Sequence, residues 1–356
     1  MVEPGMKKAD RVLRVGFIGC GEIAQSHARA VAEADNAALV YAMDVDPEAA
    51  RDIAERYHAS STTKVEDVLA SPEVDAVYLC APHHLHASLS LQALRAGKHV
   101  MVEKPIATRL ADADQMIREA ARQGRLLSVC FVSRFAATNE LAREAIARGE
   151  IGEIIWVEIN DMHLKQPSYW QRGVSGKARP TDWRGHKDRA GGGVLIMNSV
   201  HPIDLVRHLT GLEVERVYAE YDTFLHSVEV EDAIAVILRY SNGALGTIQA
   251  ATAAAAGREG RAPLRLFGTR GQIALGAPWA GKPAVSIFTV ERNAWEHREP
   301  PAGKDARTRY VEHFARACFG EEELRATGRD GYRALEVILA AYQAGASQQV
   351  ITLSEL

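Results

Sequence analysis

The segment Gly19-Cys20-Gly21-Glu22-Ile23-Ala24 constrains this chain more than any other. It reads G-x-G-x-x-A and joins an apolar run at 14–18 to a helical pattern reaching about residue 32. The first glycine permits a tight turn, the second lets backbone approach a pyrophosphate, and the small Ala24 lets helix and strand pack closely. The first turn of the helix then offers N–H groups that have no partner within the helix and suit a phosphate. Asp44 follows at the end of the next apolar run, 38–43, where a carboxylate would bind ribose hydroxyls. No arginine directly follows in Asp44-Val45-Asp46, so a 2′-phosphate has no obvious partner and NAD is expected over NADP.

The surrounding pattern agrees with this turn. Short β-rich runs at 76–80, 99–103 and 127–131 alternate with helical stretches at 47–57, 86–96 and 110–123. Near-continuous apolar strands separated by helices predict a parallel sheet covered on both faces. The texture changes after about residue 135. A helix at 141–148 ends at Gly149, and longer alternating runs follow at 153–163, 214–221, 232–240, 244–253, 264–267 and 284–290. Ser241-Asn242-Gly243, between two of these runs, predicts a hairpin turn. Helical periodicity returns at 310–319 and 333–344. The expected fold is an α/β Rossmann domain with a doubly wound parallel sheet over residues 1–132. An α+β domain on a mostly antiparallel open sheet is expected over 133–356.

A length of 356 residues allows two domains, each with its own core. The 46 acidic and 42 basic side chains give a net charge of −4 and a pI near 6.4, with no long basic run. A general nucleic-acid binder is therefore not expected. No apolar stretch reaches the roughly 18 residues of a membrane-spanning helix. The N-terminal residues carry charges where a signal peptide needs an apolar block. Cys20, Cys80, Cys130 and Cys318 form neither a CxxC pair nor a disulfide framework, so reduced thiols in a cytoplasm are expected.

Glu103-Lys104-Pro105 ends the run 99–103. Ligands of doubly wound sheets lie outside the carboxyl ends of strands, which places Lys104 beside a bound nucleotide. Taken with Gly19–Ala24 and Ala81-Pro82-His83-His84-Leu85-His86, this motif resembles the Gfo/Idh/MocA family of NAD(P)-dependent sugar and inositol oxidoreductases. The run Gly191-Gly192-Gly193-Val194-Leu195-Ile196-Met197-Asn198-Ser199-Val200-His201-Pro202-Ile203-Asp204 resembles that family's second hallmark. The resemblance implies a Rossmann domain, a sheet domain, a C-terminal helix packing back toward the first domain, and a homodimer or homotetramer through the open sheet. It makes Lys104 and His201 the catalytic pair. A hydroxyl must lose a proton as its carbon loses hydride; burial and a positive nicotinamide ring both favour a neutral lysine. It also implies cofactor contacts from Gly19, Gly21, Glu22, Ile23, Ala24, Asp44, Ala81, Pro82, His83, His86 and Glu103.

Two positions depart from the family. Met197 stands four residues before His201, where the family often has Asp on the same helical face. His83 stands where Asn is common. His83, His84 and His86 lack a set of carboxylates or thiols around them, and no metal is expected. Tryptophan faces and polar side chains suit a polyol or sugar ring, which makes His163, Tyr169, Trp170, Trp183 and Arg184 substrate candidates. By the resemblance Arg134, Met197 and Asn198 join them. The leading reading is an NAD-dependent dehydrogenase of a sugar, inositol or related polyol. An NAD-dependent glycosidase working by transient oxidation and a non-catalytic nucleotide-binding regulator are the alternatives.

Overall fold

The structure is a computed structural model that describes residues 11–173, 175, 181–254, 262–276 and 284–353. The N-terminal segment read above for a leader lies outside these residues. By contacts the chain forms two units, one of residues 1–132 and 304–331, the other of 133–303 and 332–356. The stretch 304–331, expected with the second domain, thus belongs to the first.

The first unit holds six parallel strands: β1 (Leu13–Ile18), β2 (Ala37–Met43), β3 (Ser60–Thr62), β4 (Ala76–Leu79), β5 (His99–Val102) and β6 (Leu127–Val129). Their order is β3-β2-β1-β4-β5-β6, so the sequence of strands reverses direction between β1 and β4. That reversal opens a crevice at the carboxyl ends of these strands, the usual ligand position in such sheets. β4 is fully buried along its length, as a strand covered on both faces must be. Helices Glu22–Glu33, Pro47–Tyr57, His86–Arg95 and Leu110–Gln123 connect the strands. Asp46 caps the second by accepting from the N–H groups of Glu48 and Ala49, ahead of Pro47 in the first turn. The fourth ends at Gly124 in the left-handed conformation.

Helix Ala306–Cys318 also belongs here. Its Tyr310 is fully buried and donates to Ser128 Oγ at 2.9 Å, while Ser128 donates to the Ala326 carbonyl at 2.7 Å. Val129 N–H also bonds Ala326 O, at 3.1 Å. The returning segment therefore covers β6 with hydrogen bonds as well as apolar contact.

The second unit is built on nine strands: β7 (Ile154–Met162), β8 (Val214–Asp222), β9 (Ala233–Tyr240), β10 (Leu245–Ala251), β11 (Leu264–Gly268), β12 (Gly271–Leu275), β13 (Val285–Thr289), β14 (Ala294–Arg298) and β15 (Ile351–Thr352). The order is β14-β13-β12-β11-β7-β10-β9-β8-β15. All pairs are antiparallel except β7 with β10. The expected turn between β9 and β10 forms, with Gly243 at φ +85 and Asn242 Oδ1 accepting from Ala244 N–H at 3.0 Å. Helices Ala137–Ala147 and Val200–Thr210 pack on the inner face. Helix Gly328–Ser347 starts in the first unit and runs on in the second.

Candidate active site

The glycine turn leaves β1 at Gly19, whose φ is +94. A Cβ there would stand 2.6 Å from the Cys80 carbonyl at the end of β4, so only glycine fits. A Cβ on Gly21 would meet nothing within 4 Å. Open space over this backbone is what close approach of a pyrophosphate requires. Gly21 also caps helix Glu22–Glu33 without any side-chain hydrogen bond to its first turn. Glu22 is half-buried and Ile23 is exposed at that end, while Ala24 is buried against the sheet. Asp44 ends β2 and accepts from Cys20 N–H at 2.7 Å and Asp46 N–H at 3.0 Å. Its carboxylate therefore braces the turn from the side expected to take a ribose. Burial pushes the adjacent Cys20 thiol up to about 12. The turn, its open second glycine and Asp44 fit NAD.

Lys104 is half-buried on the turn after β5, and its peptide to Pro105 is cis. Two expected cofactor residues make close contacts within the protein. Glu103 is buried and turned inward: its carboxylate lies 2.6 Å from His27 Nε2 and accepts from the Lys104 N–H at 3.2 Å. His27 in turn meets the Tyr78 hydroxyl at 2.7 Å through Nδ1, and Cys130 donates its thiol to that hydroxyl at 3.1 Å. His86 is wholly buried, with Nδ1 2.7 Å from the Pro105 carbonyl and Nε2 2.9 Å from the Ala81 carbonyl. Burial lowers its pKa, and a neutral imidazole carries one N–H, so it donates to one of these carbonyls at a time. Glu103 and His86 thus brace the backbone around Lys104. Ala81 and Pro82 form the half-buried turn after β4, and His83 is buried beside His86 with ring centroids 5.6 Å apart.

Within the second unit, the run Gly191-Gly192-Gly193 is explained by two neighbours that the sequence did not point to, the buried Glu231 and the half-buried Tyr342. Glu231 accepts from Gly193 N–H at 2.6 Å, Leu195 N–H at 3.0 Å and the Tyr342 hydroxyl at 2.8 Å. A Cβ on Gly193 would stand 1.8 Å from the Glu231 carbonyl oxygen, and one on Gly192 would strike the Tyr342 hydroxyl. The following segment, Leu195–Ser199, is a π-helix that passes at Val200 into helix Val200–Thr210, whose second residue is His201. Residues 197 and 201 therefore do not share the regular α-helical face assumed for them. Met197 is buried, and the Tyr169 hydroxyl lies 3.6 Å from its sulfur.

Arg134, expected at the substrate, is engaged within the protein. It is buried and pairs in a fork with Asp204, Nε to Oδ2 at 2.8 Å and a terminal nitrogen to Oδ1 at 2.6 Å. That pair anchors the helix carrying His201. Trp170 is also buried, against Tyr169 and His226, so it offers no open ring face; its Nε1 has no hydrogen-bond partner among the described residues. Tyr169 is buried, with Lys165 Nζ 5.0 Å from its ring centroid. Trp183 and Arg184 are half-buried and stack on each other at 4.5 Å. Asn198 is half-buried.

His163 follows β7 and stands 2.8 Å from Asp161, a residue absent from the expected set. Ser199 donates to the same carboxylate at 2.8 Å. The signal for Asp161 was present: residues two apart on a strand share a face, so 161 and 163 had to project together.

Comparison with known proteins places these features. The family described as an oxidoreductase family with an NAD-binding Rossmann fold matches residues 13–131, and the GFO/IDH/MocA C-terminal domain matches residues 140–274. The chain belongs to the Gfo/Idh/MocA family. Among its relatives, the myo-inositol 2-dehydrogenase of Thermotoga maritima is 30% identical over 73% of this chain and 74% of that protein. The 1,5-anhydro-D-fructose reductase of Ensifer adhaerens is 30% identical over 94% of this chain and 97% of that protein. The WlbA dehydrogenase of Bordetella pertussis, solved with NADH and UDP-GlcNAcA, superposes with a TM-score of 0.81 at 28% identity, covering 97% of this chain and all of that one. Family membership makes the chain an oxidoreductase whose Rossmann unit binds NAD.

Proposed function

We propose that the chain transfers hydride between a hydroxyl-bearing carbon of a sugar, inositol or related polyol and NAD, with Lys104 and His201 handling the proton. The observation carrying this reading is the bracing of Lys104. The backbone at the carboxyl end of β5 is fixed by Glu103 and, through Pro105, by His86, in a unit whose glycine turn accepts a dinucleotide. The chemistry that NAD supplies when bound is hydride acceptance. Lys104 takes up the hydroxyl proton or donates to the developing alkoxide, and His201 passes the proton on. Asp44 and the exposed, uncharged Val45 favour NAD over NADP. The names of the relatives support a polyol or sugar derivative as substrate.

Two further readings belong here. The outer face of the nine-stranded sheet suits association of like chains into a dimer or tetramer. All four cysteines are free, and burial raises their pKa, which suits a reducing cytoplasm.

The test is a panel of polyols, sugars and glycosides with NAD, followed by absorbance of the reduced cofactor. Release of an aglycone without net reduced cofactor would replace the dehydrogenase reading with the glycosidase one. On the substrate found, Lys104→Met is expected to lower turnover by roughly two to four orders of magnitude, the span of a positioned acid–base group. NAD affinity by direct titration is expected to stay the same. Near-normal turnover would overturn the assignment.

A further inference from the structure

The family often carries a carboxylate four residues before its catalytic histidine, and this chain has Met197 there. A thioether neither holds charge nor exchanges a proton. The second unit nevertheless brings a carboxylate to the same neighbourhood by another route. Asp161 ends β7 on the sheet's inner face, in register with Ala250 of β10. One of its oxygens accepts from Ser199 Oγ at 2.8 Å, and the other stands 2.8 Å from His163 Nε2. Ser199 closes the π-helical turn and lies two residues before His201. The carboxylate is therefore tied to the backbone that carries His201 and to a second imidazole.

We propose that Asp161 is the fixed anion of the acid–base site, supplying from strand β7 the charge that position 197 lacks. It is a positioning residue, acting on His201 and His163 through charge and hydrogen bonds. The inference rests on the reading of His201 as an acid–base group.

The surroundings are consistent with a permanent anion. Burial opposes the charge of Asp161, but His163, Ser199 and the nearby His201 outweigh it and hold the carboxyl below its usual range. The groups that bear on it are His163, two residues further along the chain, and Ser199 and His201 from the π-helical turn and the helix after it. Its strand partner at 250 is an uncharged alanine. With the charge moved to β7, position 197 is free to be apolar and to pack under Tyr169.

The test uses the full chain with NAD and compares wild type with Asp161→Asn, which keeps volume and a hydrogen-bond acceptor for Ser199. Imidazole resonances of His201 are followed by NMR across pH, a readout that needs no substrate. Removal of the anion is expected to lower the His201 titration midpoint by roughly one unit, the scale of a nearby opposite charge. On an active substrate, the pH–rate limb is expected to move to lower pH by the same amount, with kcat falling and NAD affinity unchanged. Asp161→Glu is expected to restore the midpoint in part. Ser199→Ala, which keeps the charge but cuts its anchor, guards against misreading a folding defect and is expected to give a smaller shift of the same sign. An unchanged His201 midpoint in Asp161→Asn, with the protein folded, overturns the inference. Failure of the functional reading shows elsewhere: wild type inactive on every polyol and sugar, or full turnover in His201→Ala.

Discussion

Arg134 shows how one buried partner decides what a side chain can do. A guanidinium near a sugar site suggests hydroxyl recognition, but both faces of its fork are spent on Asp204, and both residues are nearly inaccessible. Breaking a buried pair from one side leaves a charge without compensation. Arg134→Met is therefore expected to cost about 3–5 kcal/mol in denaturant unfolding, and Arg134→Met with Asp204→Leu to recover most of it. A substrate ligand would behave differently, raising KM with stability intact. Asp44 carries two duties at once. Its carboxylate fixes the glycine turn through Cys20 N–H, and in the proposed reading it also takes the ribose. Asp44→Ser with Val45→Arg is expected to move cofactor preference toward NADP, because it removes a repelling anion and adds a cation on an already exposed residue. Titration with both nucleotides reads the outcome, and tighter NADP binding by wild type would refute the assignment.

Strand β5 begins with a histidine that ties stability to pH. His99 Nδ1 accepts the Leu126 N–H at 3.0 Å, which requires an unprotonated nitrogen, and burial lowers its pKa to about 4. An unfolded chain protonates the same side chain near 6.5. Between those values the unfolded state binds more protons, so stability is fully present above about pH 6.5 and declines as pH falls toward 4. Unfolding midpoints at a series of pH values are expected to show this slope, and His99→Asn, which keeps an acceptor, is expected to flatten it. Elements with local signals were legible in the sequence to the residue. Helices Pro47–Tyr57 and Leu110–Gln123 carry the Asp46 cap and the Gly124 stop. β3 was not legible, because Ser60–Thr62 is a polar edge strand without apolar character. β14 is likewise exposed and half charged. The parallel pairing of β7 with β10 has no local signature at all. The same division holds at the site. Gly19, Gly21, Asp44 and Lys104 stand in short motifs, whereas Asp161 meets Ser199 across 38 residues and Arg134 meets Asp204 across 70. Such pairings are set by tertiary packing.

Taken whole, the molecule exposes an apolar row on its larger sheet. Register places Trp295, Phe288, Gln272, Phe267, Trp156 and Leu245 side by side across β14, β13, β12, β11, β7 and β10. Trp295 and Trp156 are exposed at 42% and 37%, a large apolar outlay for a surface facing water. Association through this face would remove it from solvent. If like chains associate through this face, Trp156→Glu with Trp295→Glu is expected to leave monomers by light scattering, while secondary structure by circular dichroism stays the same. The strap of residues 304–331 has a different kind of consequence. β6 receives its cover from Tyr310 and Ala326, which lie 182 and 198 positions further along than Ser128. During synthesis strands β7–β14 of the sheet unit leave the ribosome before that cover exists. The first unit must then wait, with the flank of β6 unprotected, until residues 310–326 have followed strands β7–β14 out, so it cannot complete its fold before most of the second unit has been made.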